Sequence, residues 1–287
     1  MSIDAVATDP KRPDQDENDH AKKVIAQAWT SSAGFYDQMW GHGLRTDVER
    51  KAWLTLLESL FPAERPLKIL DVGCGTGFLS LQLAELGHSV VGLDLTEGML
   101  DVHRRQASAR GLDITLVQGD AEDPPPGLGP FDAVVSRHLL WTLLRPQQAV
   151  RAWAALAAPG GRVVAIDIVG MLASTSRTRI RAACGQAIQG LSESAEPATG
   201  VLWRALRSLV RTGDPHYPAE LTGRMPLQAA RNLDPVRNIW RRAGLDEVMT
   251  EELSWLDSVE RTQMPTAARL QHNERRYLIE GRRPIRT

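Results

Sequence analysis

Leu67-Lys68-Ile69-Leu70-Asp71-Val72 runs directly into Gly73-Cys74-Gly75-Thr76-Gly77, and Phe78 to Leu86 follows with helical spacing. An apolar run, three glycines at alternate positions and an amphipathic segment read as a buried strand, a tight turn and a helix. Glycine permits left-handed backbone angles, and a helix start leaves amide donors unpaired, so such a turn lets a ligand approach the backbone closely. Outward from this unit the same alternation continues. Strands are expected at Ser89 to Asp94, Ile114 to Val117, Phe131 to Val135 and Gly161 to Ile168, with helices at Thr96 to Arg110 and Pro146 to Ala157. Strand and helix alternating in this way predict an α/β fold, a doubly wound and mostly parallel sheet covered on both faces.

The flanks read differently. Residues 1–19 are rich in Asp, Pro, Asn and Lys without apolar periodicity, which predicts a disordered tail. Residues 20–62 carry Val24, Ile25, Ala28, Trp29 and then Val48, Trp53, Leu56, Leu57 and Leu60 at helical spacing, broken at Gly41 and Gly43, and form an N-terminal helical cap. The core spans 63–168. Residues 169–226 bear many arginines, among them Arg177, Arg181, Arg204 and Arg211, and predict a helical insertion after the fifth strand that lids the substrate; a solvated helix face explains the arginines equally. Residues 227–287 return to the sheet with a helix at Leu233 to Ala243, a strand at Leu245 to Leu253 and a last strand around Arg276 to Glu280.

Bulk composition narrows the partners. In 287 residues, 43% hydrophobic, Lys+Arg 34 against Asp+Glu 35 leave a net charge of -1, which offers no general attraction to nucleic acid or an anionic membrane. Cys74 and Cys184 stand far apart with no CxxC pair, so neither a disulfide framework nor a zinc site is indicated, and a cytoplasmic setting is expected. No apolar run is long enough for a signal peptide or membrane span. A homodimer stays open.

Spacing then discriminates among ligands. The dinucleotide fingerprint G-x-G-x-x-G would put its third glycine at position 78, where Phe78 stands, so a diphosphate cofactor is disfavoured. Asp94 ends the second strand 21 residues after Gly73, where a carboxylate suits a ribose diol. A further acidic pair follows the third strand as Gly119-Asp120-Ala121-Glu122, placed for the amino group of a purine.

Taken in order, DVGCGTGFLSLQLAELGHSVVGLDLTEGML (71–100), VQGDAED (117–123), FDAVVSRHLLWTL (131–143) and LAAPGGRVVAID (156–167) resemble the successive motifs of class I (Rossmann-like) S-adenosylmethionine (SAM)-dependent methyltransferases of the small-molecule type. The resemblance covers residues 67–168. It implies SAM as cofactor and S-adenosylhomocysteine as product, with Asp71, Gly73, Cys74 and Gly75 bordering the methionine moiety. Asp94 would hold the ribose, Leu95 and Met99 would flank the adenine, and Gly119, Asp120 and Ala121 would meet its edge. Ser136 and Arg137 would lie near the sulfonium, and Tyr36 in the leading helix would reach the cofactor carboxylate.

Three residues are candidates for proton handling: His138 just past the fourth strand, His42 and Tyr36. Local packing is the plainer reading of each. Trp29, Trp40, Trp141, Trp203 and Tyr217 are candidate substrate contacts, since aromatic faces attract a sulfonium and stack flat molecules. Relatives that methylate nucleic-acid amino groups carry Asp/Asn-Pro-Pro-aromatic where Ser136-Arg137-His138-Leu139 stands. Metal-dependent catechol-type relatives end the fifth strand in Asp-Asn, whereas this chain has Asp167-Ile168, so no metal is expected. The expected activity is methyl transfer to a small aromatic or heteroaromatic metabolite, nitrogen or carbon favoured, as in secondary-metabolite biosynthesis. A SAM-binding regulator without transferase activity and an NAD-dependent oxidoreductase are the alternatives.

Overall fold

The computed structural model describes residues 13–169, 221, 223–271 and 275–285. Its centre is a seven-stranded sheet in the order β3-β2-β1-β4-β5-β7-β6. Strands β1 (Lys68–Val72), β2 (Ser89–Asp94), β3 (Ile114–Gln118), β4 (Phe131–Arg137) and β5 (Ala157–Val169) run parallel. β7 (Arg275–Arg282) is antiparallel to both β5 and β6 (Asp246–Glu252). The crossover helices are α3 (Phe78–Glu85), α4 (Glu97–Ala109), α5 (Pro146–Leu156) and α6 (Asp234–Arg242). Before them lie α1 (Pro13–Ser32) and α2 (Asp47–Leu60), and between β6 and β7 lie α7 (Ser254–Gln263) and α8 (Thr266–Gln271).

The strands are apolar at consecutive positions because both faces are covered. Leu70, Val134, Val163, Ala165 and Ile279 join one core with Trp153 of α5 and Trp240 of α6. Their sequence neighbours Ile69, Ala133, Val135, Val164 and Leu278 join the other with Trp53, Leu57, Leu79 and Leu256. That period of two with no polar face is the signature of a sheet buried on both sides. The two indoles meet edge to face at 6.5 Å, and their N–H groups donate to carbonyls of Ala121 and Val163 at 2.8 and 3.2 Å. α2 begins with a capping box: Glu49 N donates to Thr46 Oγ1 at 3.2 Å, and Thr46 N donates to Glu49 Oε2 at 3.1 Å.

Several boundaries depart from expectation. α1 starts at Pro13, inside the stretch read as a tail, while residues 1–12 lie outside the described residues. β5 starts at Ala157 rather than Gly161 because Ala157 pairs with Phe131 before a shift in register lets Arg162 pair with Ala133. α7 and α8 were not anticipated. β7 docks on α7 through a buried Arg276, which pairs with Asp257 at 2.8 Å and Glu260 at 3.0 Å; Glu260 also accepts from Trp53 Nε1 at 2.9 Å. The insertion expected over 169–226, with Trp203 and Tyr217, falls almost wholly outside the described residues.

Candidate active site

The cleft opens at the carboxyl edge of the parallel strands, over the switch point between β1 and β4 where the strand order reverses. Its volume is roughly 780 Å³ including the open mouth. Gly73, Gly75 and Gly77 all have positive φ, at 67°, 54° and 102°. A Cβ on Gly73 would stand 2.8 Å from Leu139, and one on Gly77 would stand 2.6 Å from His103. At Gly75 a Cβ would meet nothing within 4 Å, so the backbone there is open to approach from the cleft.

Beneath this loop lies Asp71, which is buried and outside the cleft lining. Its carboxylate accepts from Ser80 N at 3.0 Å and Ser80 Oγ at 2.6 Å, so it pins the first turn of α3. Burial pushes its pKa up to about 7 against those bonds. Cys74 is also buried, its sulfur 2.9 Å from where a Cβ on Gly92 would lie, and burial raises its thiol well above the ordinary range. Small size at Cys74 and Gly92 lets loop and strand close on one another.

At one end of the cleft stand Asp94, Leu95, Met99, Gly119, Asp120 and Ala121. Asp94 Oδ2 accepts from Gly75 N at 2.9 Å, and Oδ1 accepts from Thr96 N and Oγ1, both at 2.9 Å. Burial raises its pKa against those donors. Lys22 of α1 reaches in to bridge Asp120 and Glu122, the latter at 2.8 Å, and Arg145 Nε approaches Glu122 at 3.0 Å. Burial opposes the charge of Glu122, but Lys22 and Arg145 outweigh it and hold its pKa below the usual range. α1 lies close on α4 where Gly98 leaves room: a Cβ there would stand 2.9 Å from Thr30 Cγ2.

At the other end stand Trp29, Tyr36, Arg137, His138 and Leu139. His138 sits in the turn after β4 with φ of 53°, its backbone N donating to Ile166 O at 3.1 Å. The following amides of Leu139 and Leu140 donate to Asp167 Oδ2 at 3.1 and 2.7 Å, so Asp167 fixes the turn that presents His138. Burial pushes Asp167 up to about 7, against three backbone donors and the charge of Arg137. The rings of Trp29, Tyr36, His42 and His138 follow one another edge to face, at centroid separations of 5.6, 4.6 and 5.3 Å. Arg137 is clamped between Phe78 (3.7 Å) and Trp53 (5.1 Å) and donates to the carbonyl of Gly41, which ties the turn after α1 to β4. Asp37 completes the tie, accepting from Thr76 Oγ1 at 2.5 Å and Gln106 Nε2 at 2.7 Å.

Known proteins match this arrangement. A family model described as a methyltransferase domain matches residues 69–161. Residues 69–161 belong to the class I, SAM-dependent methyltransferases. The domain is 38% identical over 97 residues to a ubiquinone biosynthesis O-methyltransferase of Vibrio parahaemolyticus, covering 33% of this chain and 41% of that one. A demethylmenaquinone methyltransferase of Thermus thermophilus is 36% identical over 117 residues, covering 40% and 53%. The bifunctional biotin biosynthesis protein BioHC of Cellvibrio japonicus is 33% identical over 141 residues, covering 49% and 26%. The matched stretches thus span about a quarter to a half of these relatives. Among solved structures, magnesium protoporphyrin IX methyltransferase of Synechocystis aligns with a TM-score of 0.54 at 16% identity, covering 92% and 99%. The [4+2]-cyclase SpnF aligns with a TM-score of 0.55 at 16% identity, covering 93% and 95%. These last likenesses concern the fold.

Within the methyltransferase domain and its cap, the cleft brings together Tyr36, Gly73, Gly75, Asp94, Leu95, Met99, Gly119, Asp120, Ala121, Arg137, His138 and Trp29. Six residues expected at the site stand behind the cleft wall or away from it. Asp71 and Cys74 support the loop from below. Ser136 is buried in β4, paired in register with Val72 and Ala165. Trp141 packs with Ala21, Ile25 and Ile168 in a small core that seats α1. His42 lies between Tyr36 and His138 but outside the lining, and Trp40 lies under the guanidinium of Arg45 at 4.2 Å. The lining also holds Lys22, Ile25, Leu93, Thr96, Leu139, Thr142, Leu143 and Leu144, which the sequence reading did not single out as site residues. Only Thr96, adjoining Asp94 at a helix start, left a local signal.

Proposed function

We propose that this chain is a SAM-dependent methyltransferase acting on a small aromatic or heteroaromatic metabolite, at nitrogen or carbon. The observation that carries the reading is convergence: the Gly73–Gly77 loop, Asp94 and Asp120 face one end of the same cleft that His138 and Trp29 face at the other. Asp94 would accept from the ribose hydroxyls, Leu95 and Met99 would flank the adenine, and the open backbone at Gly75 would meet the amino-acid end. When bound, the cofactor supplies an electrophilic methyl on a sulfonium whose departure leaves a neutral thioether. The protein therefore has no proton to deliver to the leaving group, and positioning carries most of the rate, worth about 7–11 kcal/mol. Trp29 and Tyr36 offer aromatic faces to a cation, worth about 0.5–2 kcal/mol each. His138, with His42 and Tyr36 behind it, is the group placed to take a proton from an acceptor that carries one.

The test is incubation with isotopically labelled SAM and a panel of aromatic amines, indoles and phenols, read by mass spectrometry. Label in a product supports the reading. Heat of binding with SAM and S-adenosylhomocysteine but no labelled product from any extract would leave a cofactor-binding protein of other chemistry, a reading to which the fold shared with a cyclase lends weight.

A further inference from the structure

A second groove lies at the same edge of the sheet. It is bounded by α7, α8 and the first residue of β7, and encloses roughly 760 Å³ including its open mouth. Arg275 pairs in register with Val169 at the carboxyl end of β5, so the groove opens on the edge that carries the cleft. β7 is two strands from β4, about 10 Å along the sheet.

Among the described residues three guanidinium groups line it: Arg261, Arg269 and Arg275. Among the described residues none of the three has a carboxylate within salt-bridge distance, whereas Arg50, Arg104 and Arg237 on other surfaces each hold one. Asp257, the carboxylate among the described lining residues, is committed elsewhere: Oδ1 accepts from the buried Arg276 side chain at 2.8 Å and Oδ2 from its backbone N at 2.9 Å. Ser254 and Ser258, one turn apart on α7, add hydroxyl donors to the same wall. Arg269 spends one N–H on the carbonyl of Met264 at 3.0 Å, which steadies its side chain. Three like charges around one concavity repel each other, and the repulsion is relieved when an anion enters. A tetrahedral dianion has enough acceptor oxygens to satisfy several guanidinium forks and hydroxyls together, which a single carboxylate does not.

We propose that this groove binds a phosphate-class oxyanion, as a free anion or as the phosphate of a small organic ester. The proposal is independent of the methyltransferase reading. Its test is thermal unfolding of the full chain with inorganic phosphate, pyrophosphate and glycerol phosphate, at ionic strength held constant with sodium chloride. The expected result is a saturable rise in Tm of a few degrees, abolished in Arg269→Gln/Arg275→Gln and weakened about tenfold in apparent affinity in Arg275→Lys, which keeps charge but loses the fork. SAM binding by calorimetry should be the same in all three proteins. A stronger effect of the ester than of inorganic phosphate assigns an organic ligand, and an equal effect assigns the free anion. No rise beyond that with chloride, or the same rise in the double variant, overturns the proposal.

Discussion

The two ends of the cleft are built differently. At the Asp94 end, almost every lining group comes from a strand-to-helix crossover of the sheet itself, within residues 73–122, and α1 adds Lys22 and Ile25. At the His138 end, the sheet contributes one turn, fixed from below by Asp167, and Trp29 and Tyr36 come from about a hundred residues earlier in the chain. The first end is a product of local chain geometry and the second of long-range docking. A cofactor shared by many enzymes suits the first, and an acceptor that differs among them suits the second.

If the ends divide labour in this way, they separate under mutation. The largest effect is expected at the acceptor end: His138→Ala should slow turnover by roughly a hundred- to ten-thousand-fold while leaving SAM affinity unchanged. Unchanged turnover in a stopped assay would make His138 a packing residue and break the comparison. Next, Asp94→Ala removes a ribose acceptor and the anchor of Gly75 and Thr96, and should weaken SAM binding by calorimetry about a hundredfold. An affinity within threefold of the parent would move cofactor recognition elsewhere.

The buried groups that support the cleft differ in their response to acid. His103 is buried against Gly77, and burial, with the charge of Arg104, lowers its pKa from 6.5 to about 4. A base held neutral by the fold contributes stability above its unfolded pKa of 6.5 and loses it as pH falls toward 4; at pH 5 the loss is about 2 kcal/mol. Asp71 and Asp167, pushed up to about 7, have the opposite sign: they favour the fold below about pH 4 and lose that contribution as pH rises through 7. Denaturant melts at pH 5 and 7 should therefore show a smaller acid loss in His103→Leu than in the parent. Equal loss would mean that His103 is protonated in place.

The smallest effect is expected from Lys22→Met. Loss of its bridge to Asp120 and Glu122 should loosen α1, raising amide exchange over residues 16–32, and lower SAM affinity about fivefold. Exchange unchanged from the parent would show that the small core around Trp141 seats α1 alone.

The sequence made the Asp94 end legible because its information is local. Gly73, Gly75 and Gly77 must be glycine for backbone angles and close contacts, and Asp94 and Asp120 must stand where strands end. Asp71 was read as a ligand neighbour by its place in the motif, although its carboxylate is turned to Ser80. Spacing gives the position of a residue and not the direction of its side chain. Trp141 shows the same limit: it was read as a candidate substrate contact, and it packs in a core with α1.

By itself, then, the chain's pattern of apolar runs, glycines and strand-end carboxylates determined the parallel sheet and the glycine loop, because strand period, turn chemistry and crossover length act over a few residues. Only the tertiary structure decided that Lys22 bridges Asp120 and Glu122, that His42 stands between Tyr36 and His138, and that Arg276 is buried among Asp257, Glu260 and Trp53. Each of these arrangements brings together residues about a hundred or more than two hundred positions apart, and they form because docking the helices on the sheet buries apolar surface, a force that fixes proximity without leaving a local sequence signature.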